Sequence, residues 1–153
     1  MRTEPIQKGW DRAIPSPKLG DYHDAVARFR WQDAARAISE PALPSGFNLG
    51  AMAVDRHCIG SGGAKTALRC LHADGSVETY TFDALRRASN RFADGMAGLG
   101  VGAGETVFTL LGRVPALYVA AVGTLKNRSV FCPLFSAFGP EPILQRLSLG
   151  KAQ

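Results

Sequence analysis

The hydrophobic and polar positions are most regularly spaced in the second half of the chain. Apolar residues between 82 and 98 recur every three or four positions, a spacing typical of a helix with one apolar face. The segments 106–111 and 129–134 are short and almost entirely apolar, as expected of strands that are covered on both faces in a parallel sheet. Pro115 and Pro140 each suit the first position of a further helix. The order helix, strand, helix, strand, helix predicts an α/β fold with right-handed crossovers and largely parallel strands.

The pattern is weaker nearer the N-terminus. Residues 1–20 contain several prolines and glycines without periodicity, which predicts an extended lead-in. Residues 21–65 predict a helical segment, which opens with one imperfect amphipathic helix or two short ones. Later in that segment Asn48 suits the cap of a helix from Leu49 to about His57, because its side chain can accept a hydrogen bond from an unpaired backbone N–H.

A β-hairpin is predicted immediately before the α/β stretch. Residues 66–80 alternate weakly between apolar and polar, and the Asp74–Gly75 pair in their middle is typical of a tight turn between antiparallel strands. This hairpin begins a predicted α/β portion that covers residues 66–153.

The composition, with 46% hydrophobic and 20% charged residues, is that of an ordinary globular protein and excludes disordered and fibrous classes. The formal net charge of +5 would suit a polyanionic partner, but the basic residues are dispersed and no nucleic-acid recognition motif accompanies them. We interpret them as solvated charges, including Lys126 and Arg128 at the end of a predicted helix. No uncharged apolar run reaches the roughly 18–20 residues that span a bilayer. The sequence thus predicts neither a nucleic-acid nor a membrane partner.

The three cysteines, Cys58, Cys70 and Cys132, are widely spaced and form no C-x-x-C motif, so they predict no metal site. Cys132 lies within a predicted strand and is interpreted as a small core residue. The N-terminus lacks the apolar segment of a secretory signal peptide. Thiols without an export signal predict a cytoplasmic protein, because that compartment keeps cysteines reduced.

Two glycine-rich segments are similar to nucleotide-binding loops in composition but not in context. In Gly60–Thr66 an alanine occupies the position where a phosphate-binding loop needs glycine, and the segment precedes a predicted strand instead of a helix. Gly98–Gly104 connects a helix to a strand, whereas a dinucleotide-binding turn connects a strand to a helix. Asp55 and His57 are two positions apart, so on a helix they point in different directions. We therefore predict no catalytic residue in this chain.

Several short segments are informative in combination. They are 47–49, 54–57, 80–85, 89–93, 99–101, 104–107, 113–118 and 131–141. Together they resemble the N-terminal region of the AMP-forming acyl-CoA synthetases of the adenylate-forming superfamily. The last two segments look like the acetyl-coenzyme A synthetases within that family. The likeness covers roughly residues 20–153.

The resemblance implies that the chain is a partial N-terminal domain of the adenylate-forming fold, in an enzyme that converts acetate, ATP and coenzyme A to acetyl-CoA through acetyl-adenylate. ATP and coenzyme A are the implied substrates, and Mg is the implied metal. In that family the phosphate-binding loop, the adenylate-binding residues and the catalytic lysine come later in the sequence than the matched region. The resemblance therefore implies that catalytic residues lie beyond residue 153, and that this piece alone is inactive and holds no cofactor.

The implied partners are the remainder of the parent enzyme and its substrates acetate, ATP and CoA. Self-association of the isolated piece is also expected, because its predicted strands are apolar and few elements cover them. The alternative hypothesis is a stand-alone remnant that acts as a non-catalytic interaction module. The DNA beyond codon 153 distinguishes the two hypotheses, since an open frame encoding a Thr/Ser/Gly-rich loop and a C-terminal lysine fits only an enzyme fragment.

The resemblance also implies a ligand contact where the second of the predicted parallel strands ends. In acetyl-CoA synthetases an aromatic residue and two small residues at this place lie against the nucleotide portion of coenzyme A, and here they are Phe135, Ser136 and Ala137. Ser136 follows an apolar strand at its carboxyl end, where ligands of open α/β sheets bind. Some family members have Gly-Gly in place of Ser136–Ala137, and a simple turn between strand and helix is the alternative interpretation.

A second departure from the family lies at Asn127–Arg128, which joins a predicted helix to a predicted strand where the family usually has Ala-Gly. Glycine at this place serves a left-handed turn, which Asn127 tolerates and Arg128 does not readily adopt. The pair indicates a relaxed or damaged copy of the family sequence at this junction.

Overall fold

The computed structural model describes residues 20–39 and 47–150 of the chain. The predicted lead-in, apart from Gly20, lies outside these residues. The chain divides into two compact units, Met1–Ile38 and Ser39–Gln153. None of the helices in the described ranges combines the length and the apolar character needed to cross a membrane.

The described part of the first unit consists of short helices. Helix α1 (Tyr22–Arg28) begins at Asp21, whose carboxylate accepts a hydrogen bond from a backbone N–H of the first turn at 3.0 Å. It ends at Phe29, where ψ changes to 131° and the backbone becomes extended. Helix α2 (Trp31–Ser39) follows and reaches the start of the second unit. Of the two alternatives that the sequence left open, two short helices is therefore correct.

Helix α3 (Leu49–Ala53) is shorter than the sequence predicts. Asn48 caps it as expected, since its Oδ1 accepts a hydrogen bond from a first-turn N–H at 3.0 Å. The predicted extension to His57 is wrong, because the backbone of Val54 (φ −126°, ψ −55°) leaves the α-helical region and a 3-10 turn follows over Asp55–Cys58. The bend at Val54 coincides with burial of its side chain in the core, which is consistent with an effect of tertiary packing.

The predicted β-hairpin is confirmed. Strands β1 (Thr66–Leu71) and β2 (Val77–Thr81) pair in antiparallel fashion. In the turn between them the Asp74 carboxylate accepts hydrogen bonds from the hydroxyl and the N–H of Ser76, at 2.7 and 2.9 Å. These hydrogen bonds hold the pKa of Asp74 below its usual range. Gly75 supplies the left-handed backbone, with φ +83°, that the tight turn requires.

Helix α4 (Phe82–Gly98) has the bounds that the sequence predicts. Thr81 caps it, because its Oγ1 accepts a hydrogen bond from a first-turn N–H at 3.1 Å. The acid of the first turn, Asp83, accepts a hydrogen bond from Arg86 Nη2 at 2.6 Å and also pairs with Arg87. The hydrogen bond from Arg86, together with the positive charges of both arginines, holds the pKa of Asp83 below its usual range.

The rest of the second unit alternates between strands and helices. Its elements are β3 (Thr106–Leu110), α5 (Pro115–Lys126), β4 (Val130–Leu134) and α6 (Pro140–Leu149). The two strands pair in parallel, with the last residue of β3 opposite the last residue of β4, and α5 forms the crossover between them. The predicted α/β class, with parallel strands, flanking helices and a preceding hairpin, is confirmed.

The core of the second unit lies where α5 packs against α3 and α4. Gly123 of α5 permits the close approach to α4, because a Cβ there would lie 2.7 Å from Phe92 Cδ1 and 2.8 Å from the Ser89 carbonyl oxygen. Gly50 of α3 likewise permits close approach to α5, because a Cβ there would lie 2.7 Å from the Val122 carbonyl oxygen. The buried apolar side chains are Ala51, Met52, Val54, Leu85, Ala120 and Leu134.

The parallel strand pair is only partly covered, although the sequence predicts strands that are covered on both faces. Leu110 and Val130 expose 48% and 51% of their surfaces. Cys132, interpreted from the sequence as a core residue, is half-buried. The described helices are too few to cover both faces and both edges of the pair, so apolar surface stays in contact with solvent.

Candidate functional site

Phe135, Ser136 and Ala137 lie together in the turn that follows β4. Leu134, the last residue of β4, is buried, whereas the next three residues are exposed, and Phe135 exposes 65% of its surface. The Phe138 N–H donates a hydrogen bond to the Phe135 carbonyl oxygen at 3.0 Å and closes the turn. Because β3 and β4 are parallel, their carboxyl ends meet at this edge, where ligands bind in open α/β sheets. The structure thus places all three residues on one exposed turn, and their binding role stays a prediction.

An arginine from α6 packs on the same turn. The guanidinium carbon of Arg146 lies 4.2 Å from the centroid of the Phe138 ring, within the range of a cation–π contact. The Phe138 ring in turn meets the Phe135 ring edge to face, with centroids 5.6 Å apart. Arg146 Nη1 also donates a hydrogen bond to the Pro142 carbonyl oxygen at 2.9 Å. No sequence motif pointed to Arg146, because the contact depends on the conformation of the turn.

Apart from the Ser136 hydroxyl, the side chains of this turn offer no group for acid–base or nucleophilic chemistry. Its side chains are aromatic or small, and the guanidinium of Arg146 stays charged at any ordinary pH. In the part of the chain that the structure describes, no group of three or more His, Cys, Asp or Glu side chains could hold a metal ion.

The two glycine-rich segments occupy the structural contexts that the sequence predicts. Gly60–Ala64 forms a short 3-10 turn directly before β1, and the Lys65 N–H donates back to the Gly62 carbonyl oxygen at 3.0 Å. A phosphate-binding loop follows a strand and opens a helix, whereas this turn precedes a strand. The segment after α4 ends that helix and leads into β3, with φ near +84° at Gly100 and +85° at Gly104.

A cavity of about 420 Å³ lies beside the turn between α4 and β3. Its lining residues are Leu99, Gly100, Val101, Gly104, Glu105, Thr106 and Gly150. The cavity adjoins the amino end of β3, whereas Phe135 follows the carboxyl end of β4. The two therefore lie at opposite ends of the parallel strands. Glu105 is the charged residue of its lining, and a carboxylate repels phosphate. The cavity is therefore separate from the predicted contact and unsuited to a nucleotide phosphate.

Lys126 is not a solvated charge, and that interpretation from the sequence is wrong. Its side chain is 8% exposed, and its Nζ donates hydrogen bonds to Asp55 Oδ1 at 2.5 Å and Asn90 Oδ1 at 2.6 Å. The Lys126 carbonyl oxygen accepts a hydrogen bond from Asn48 Nδ2 at 3.0 Å. These contacts join the end of α5 to α3, to the turn after α3 and to α4. We call Asp55, Asn90 and Lys126 the lysine clip, because the ammonium group of Lys126 donates hydrogen bonds to the other two side chains.

Asp55 and His57 do not form a catalytic pair, in agreement with their spacing. Asp55 is engaged by Lys126, whereas the His57 ring packs on the Phe82 ring with centroids 4.6 Å apart. The two side chains therefore serve different contacts.

Comparison with protein families gives a match over most of the second unit. The family model described as AMP-binding enzyme matches residues 55–153. The chain belongs to the AMP-binding enzyme family.

Curated relatives within this family carry a common name. An acetyl-coenzyme A synthetase of Bacillus subtilis is 30% identical over 136 residues, which are 88% of this chain and 23% of the relative. An acetyl-coenzyme A synthetase of Thiobacillus denitrificans is 29% identical over 143 residues, which are 94% of this chain and 20% of the relative. The chain thus spans less than a quarter of the length of these relatives, and the predicted resemblance is confirmed.

Solved structures of the AMP-binding enzyme family match the fold. An acyl-CoA synthetase of Brucella canis superposes with a TM-score of 0.73 at 35% identity, over 86% of this chain and 23% of that one. A benzoate CoA ligase of Burkholderia xenovorans, at 22% identity and a TM-score of 0.57, covers 69% of this chain and 20% of its own. The second likeness concerns the fold alone. Together they confirm that the chain adopts part of the adenylate-forming fold.

The turn at Asn127–Arg128 has an unusual backbone. Arg128 adopts the left-handed conformation, with φ +62°, whereas Asn127 stays right-handed. The Asn127 side chain instead braces the neighbouring turn, since its Nδ2 donates to the Val101 carbonyl oxygen at 2.8 Å and to Ser129 Oγ at 3.0 Å. The strain of the left-handed turn therefore falls on Arg128.

Replacing Arg128 with glycine is expected to raise the free energy of unfolding by about 0.5–1 kcal/mol, because glycine adopts φ +62° without a steric penalty. Urea unfolding monitored by circular dichroism measures the change. Arg128→Ala is the matched control, since it removes the exposed side chain but keeps the Cβ that causes the strain. Equal effects of the two substitutions would show that the side chain, not the backbone, is responsible.

Proposed function

We propose that this chain is the N-terminal portion of an AMP-forming acetate–CoA ligase. In the whole enzyme a carboxylate oxygen of acetate attacks the α-phosphorus of ATP, with Mg bound to the nucleotide, and pyrophosphate leaves. The thiol of coenzyme A then attacks the acyl carbon of acetyl-adenylate, and AMP leaves. The observation that supports this best is the alignment of 88% of the chain with an acetyl-coenzyme A synthetase.

Within that enzyme we assign this piece a scaffold role and one wall of the coenzyme A site. Phe135 presents an exposed aromatic face, and Ser136 and Ala137 are small enough for a ligand to approach the backbone. The position of the turn at the carboxyl edge of the parallel strands supports this assignment. The chemical steps themselves need groups from the remainder of the enzyme, so the piece alone is inactive.

The proposed organisation of the piece keeps the three segments 1–20, 21–65 and 66–153 as lead-in, helical segment and α/β portion. The proposed location is the cytoplasm. The three free cysteines support it, because that compartment keeps thiols reduced.

In the full-length parent, Ser136→Trp is expected to raise the KM for coenzyme A by roughly tenfold, because the indole fills the space that the nucleotide portion needs. Acetate-dependent exchange of pyrophosphate into ATP should stay nearly unchanged, since that half-reaction precedes coenzyme A binding. Ser148→Trp, on an exposed position of α6, is the matched control and should affect neither value. If Ser136→Trp reduced the rates of adenylate formation and of acetyl transfer to coenzyme A equally, the assignment of this turn to coenzyme A would be wrong.

A second candidate function is a non-catalytic interaction module, and the exposed apolar residues of the parallel strands favour it. Leu110 and Val130 leave about half of their surfaces in water, and exposed apolar residues beside open strand edges promote association with another protein or another copy. In the whole enzyme we expect the same surface to pack against the remainder of the domain. A parent gene that also encodes the Thr/Ser/Gly-rich loop and the C-terminal lysine would support the enzyme over the interaction module.

A further inference from the structure

The cavity between α4 and β3 has the size of a small-molecule site. Its volume of about 420 Å³ falls within the roughly 300–1,000 Å³ that is usual for ligand sites. The wall combines two apolar side chains, Leu99 and Val101, with the backbone of glycines at 100, 104 and 150. Glycine lets a ligand approach the main chain closely, because it has no Cβ. The lining is therefore suited to a compact, largely apolar compound.

The glycine-rich wall is held in place by the turn that precedes β4. Asn127 Nδ2 donates a hydrogen bond to the Val101 carbonyl oxygen at 2.8 Å. The Gly104 N–H donates to the Arg128 carbonyl oxygen at 2.9 Å, and Arg128 makes this contact from its left-handed conformation. Because these contacts fix the wall in advance, a ligand has little backbone to order when it binds.

Glu105 supplies the negative charge of the cavity. Its Oε2 accepts a hydrogen bond from the Gly102 N–H, which orients the carboxylate. Among residues 20–39 and 47–150 no ion pair involves Glu105. A neutral or anionic compound that displaced water from this carboxylate would leave the charge without a partner, at a cost in free energy. A compound with a positive charge at the end of an apolar body satisfies both parts of the lining.

We propose that this cavity binds a small primary alkylammonium compound. The alkyl chain packs against Leu99 and Val101, and the ammonium group donates hydrogen bonds to the Glu105 carboxylate. Metal ions such as Ca²⁺ and Mg²⁺ fit less well, because they need several oxygen ligands and the lining offers one carboxylate. The site lies at the opposite end of the parallel strands from Phe135, so this inference is independent of the proposed contact with coenzyme A.

Saturation-transfer NMR titrations of the full 153-residue chain test the proposal with three probes of equal chain length, pentylamine, pentan-1-ol and pentanoate. At pH 7 pentylamine is protonated, as a lysine side chain is. Pentylamine should bind more tightly than pentan-1-ol, and pentanoate should bind least tightly. Glu105→Gln should weaken binding of pentylamine about threefold, as for one exposed ion pair, and leave pentan-1-ol unchanged. Added salt should reduce the preference for pentylamine.

The matched control is Glu141→Gln, which removes an exposed carboxylate of α6 and changes the net charge equally. It should change none of the three affinities. Leu99→Ala should weaken pentylamine and pentan-1-ol alike, because it removes apolar contact from the wall of the cavity.

Four outcomes would overturn the proposal. Pentylamine and pentan-1-ol could bind equally, or none of the probes could bind. Equal weakening of pentylamine by Glu105→Gln and Glu141→Gln would mean that the amine is attracted to negative charge in general. A preference for pentylamine that survives Glu105→Gln would exclude this carboxylate as its partner. Unchanged binding in Leu99→Ala would place the probes elsewhere on the protein.

Discussion

Replacing Lys126 with methionine is expected to lower the free energy of unfolding by about 3 kcal/mol, the low end for a broken buried ion pair. Methionine keeps much of the aliphatic volume, so the loss reports on the ammonium group. It leaves the carboxylate of Asp55, which is 27% exposed, without its partner, and it deprives Asn90 of a donor. Urea unfolding at two protein concentrations, followed by circular dichroism, measures the change and detects any contribution from association.

Lys65→Met is the matched control for this experiment, because Lys65 is exposed and its replacement should change stability by less than about 0.5 kcal/mol. The double variant Lys126→Met with Asp55→Asn should recover part of the loss, since no unpaired charge remains. A loss below about 1 kcal/mol in Lys126→Met would mean that the pair behaves as a surface ion pair. An unchanged loss in the double variant would assign the effect to packing instead of charge.

Gly123→Ala is expected to lower the free energy of unfolding by about 2 kcal/mol, within the range for overpacking a core. The added methyl group would meet Phe92 Cδ1 at 2.7 Å and the Ser89 carbonyl oxygen at 2.8 Å. The Phe92 ring can rotate, but the carbonyl oxygen belongs to the backbone of α4, so the two helices would have to separate. Urea unfolding of the purified variant measures the loss.

Gly95→Ala provides a control of opposite sign. It adds the same methyl group to a helical glycine, but nothing lies within 4 Å of a Cβ at Gly95. The change should therefore raise the free energy of unfolding by about 0.5–1 kcal/mol through the better helix propensity of alanine. Effects of the same sign for the two substitutions would contradict the close helix packing at Gly123.

The elements that the sequence predicts well are those whose signals are local. For α4 these signals are the cap at Thr81, the helical spacing of apolar residues and the glycines that follow. The parallel strands were predicted to within one residue, because short apolar runs between helical segments have few other interpretations. The hairpin at Asp74–Gly75 has a turn that needs these residue types.

The features that the sequence did not indicate depend on distant partners. The early end of α3 coincides with burial of Val54, and local propensity does not encode burial. Lys126 was interpreted as solvated because its partners Asp55 and Asn90 lie 71 and 36 positions earlier in the chain. At the candidate site, the family resemblance and the position after β4 predicted the turn at residues 135–137. The contact between Arg146 and the Phe138 ring was found only in the structure.

Thr81 is both the last residue of β2 and the cap of α4, so no connecting residue separates hairpin from helix. The N–H of Phe82, the first helical residue, donates to the Lys65 carbonyl oxygen at 3.0 Å, directly before β1. An insertion between 81 and 82 would deprive the helix of its cap, and an insertion within β2 would turn its side chains to the opposite face. The hairpin turn is exposed, and its residues do not cap a helix. During evolution an insertion in the exposed turn at 73–76 is therefore easier to accommodate than one at the junction 81–82.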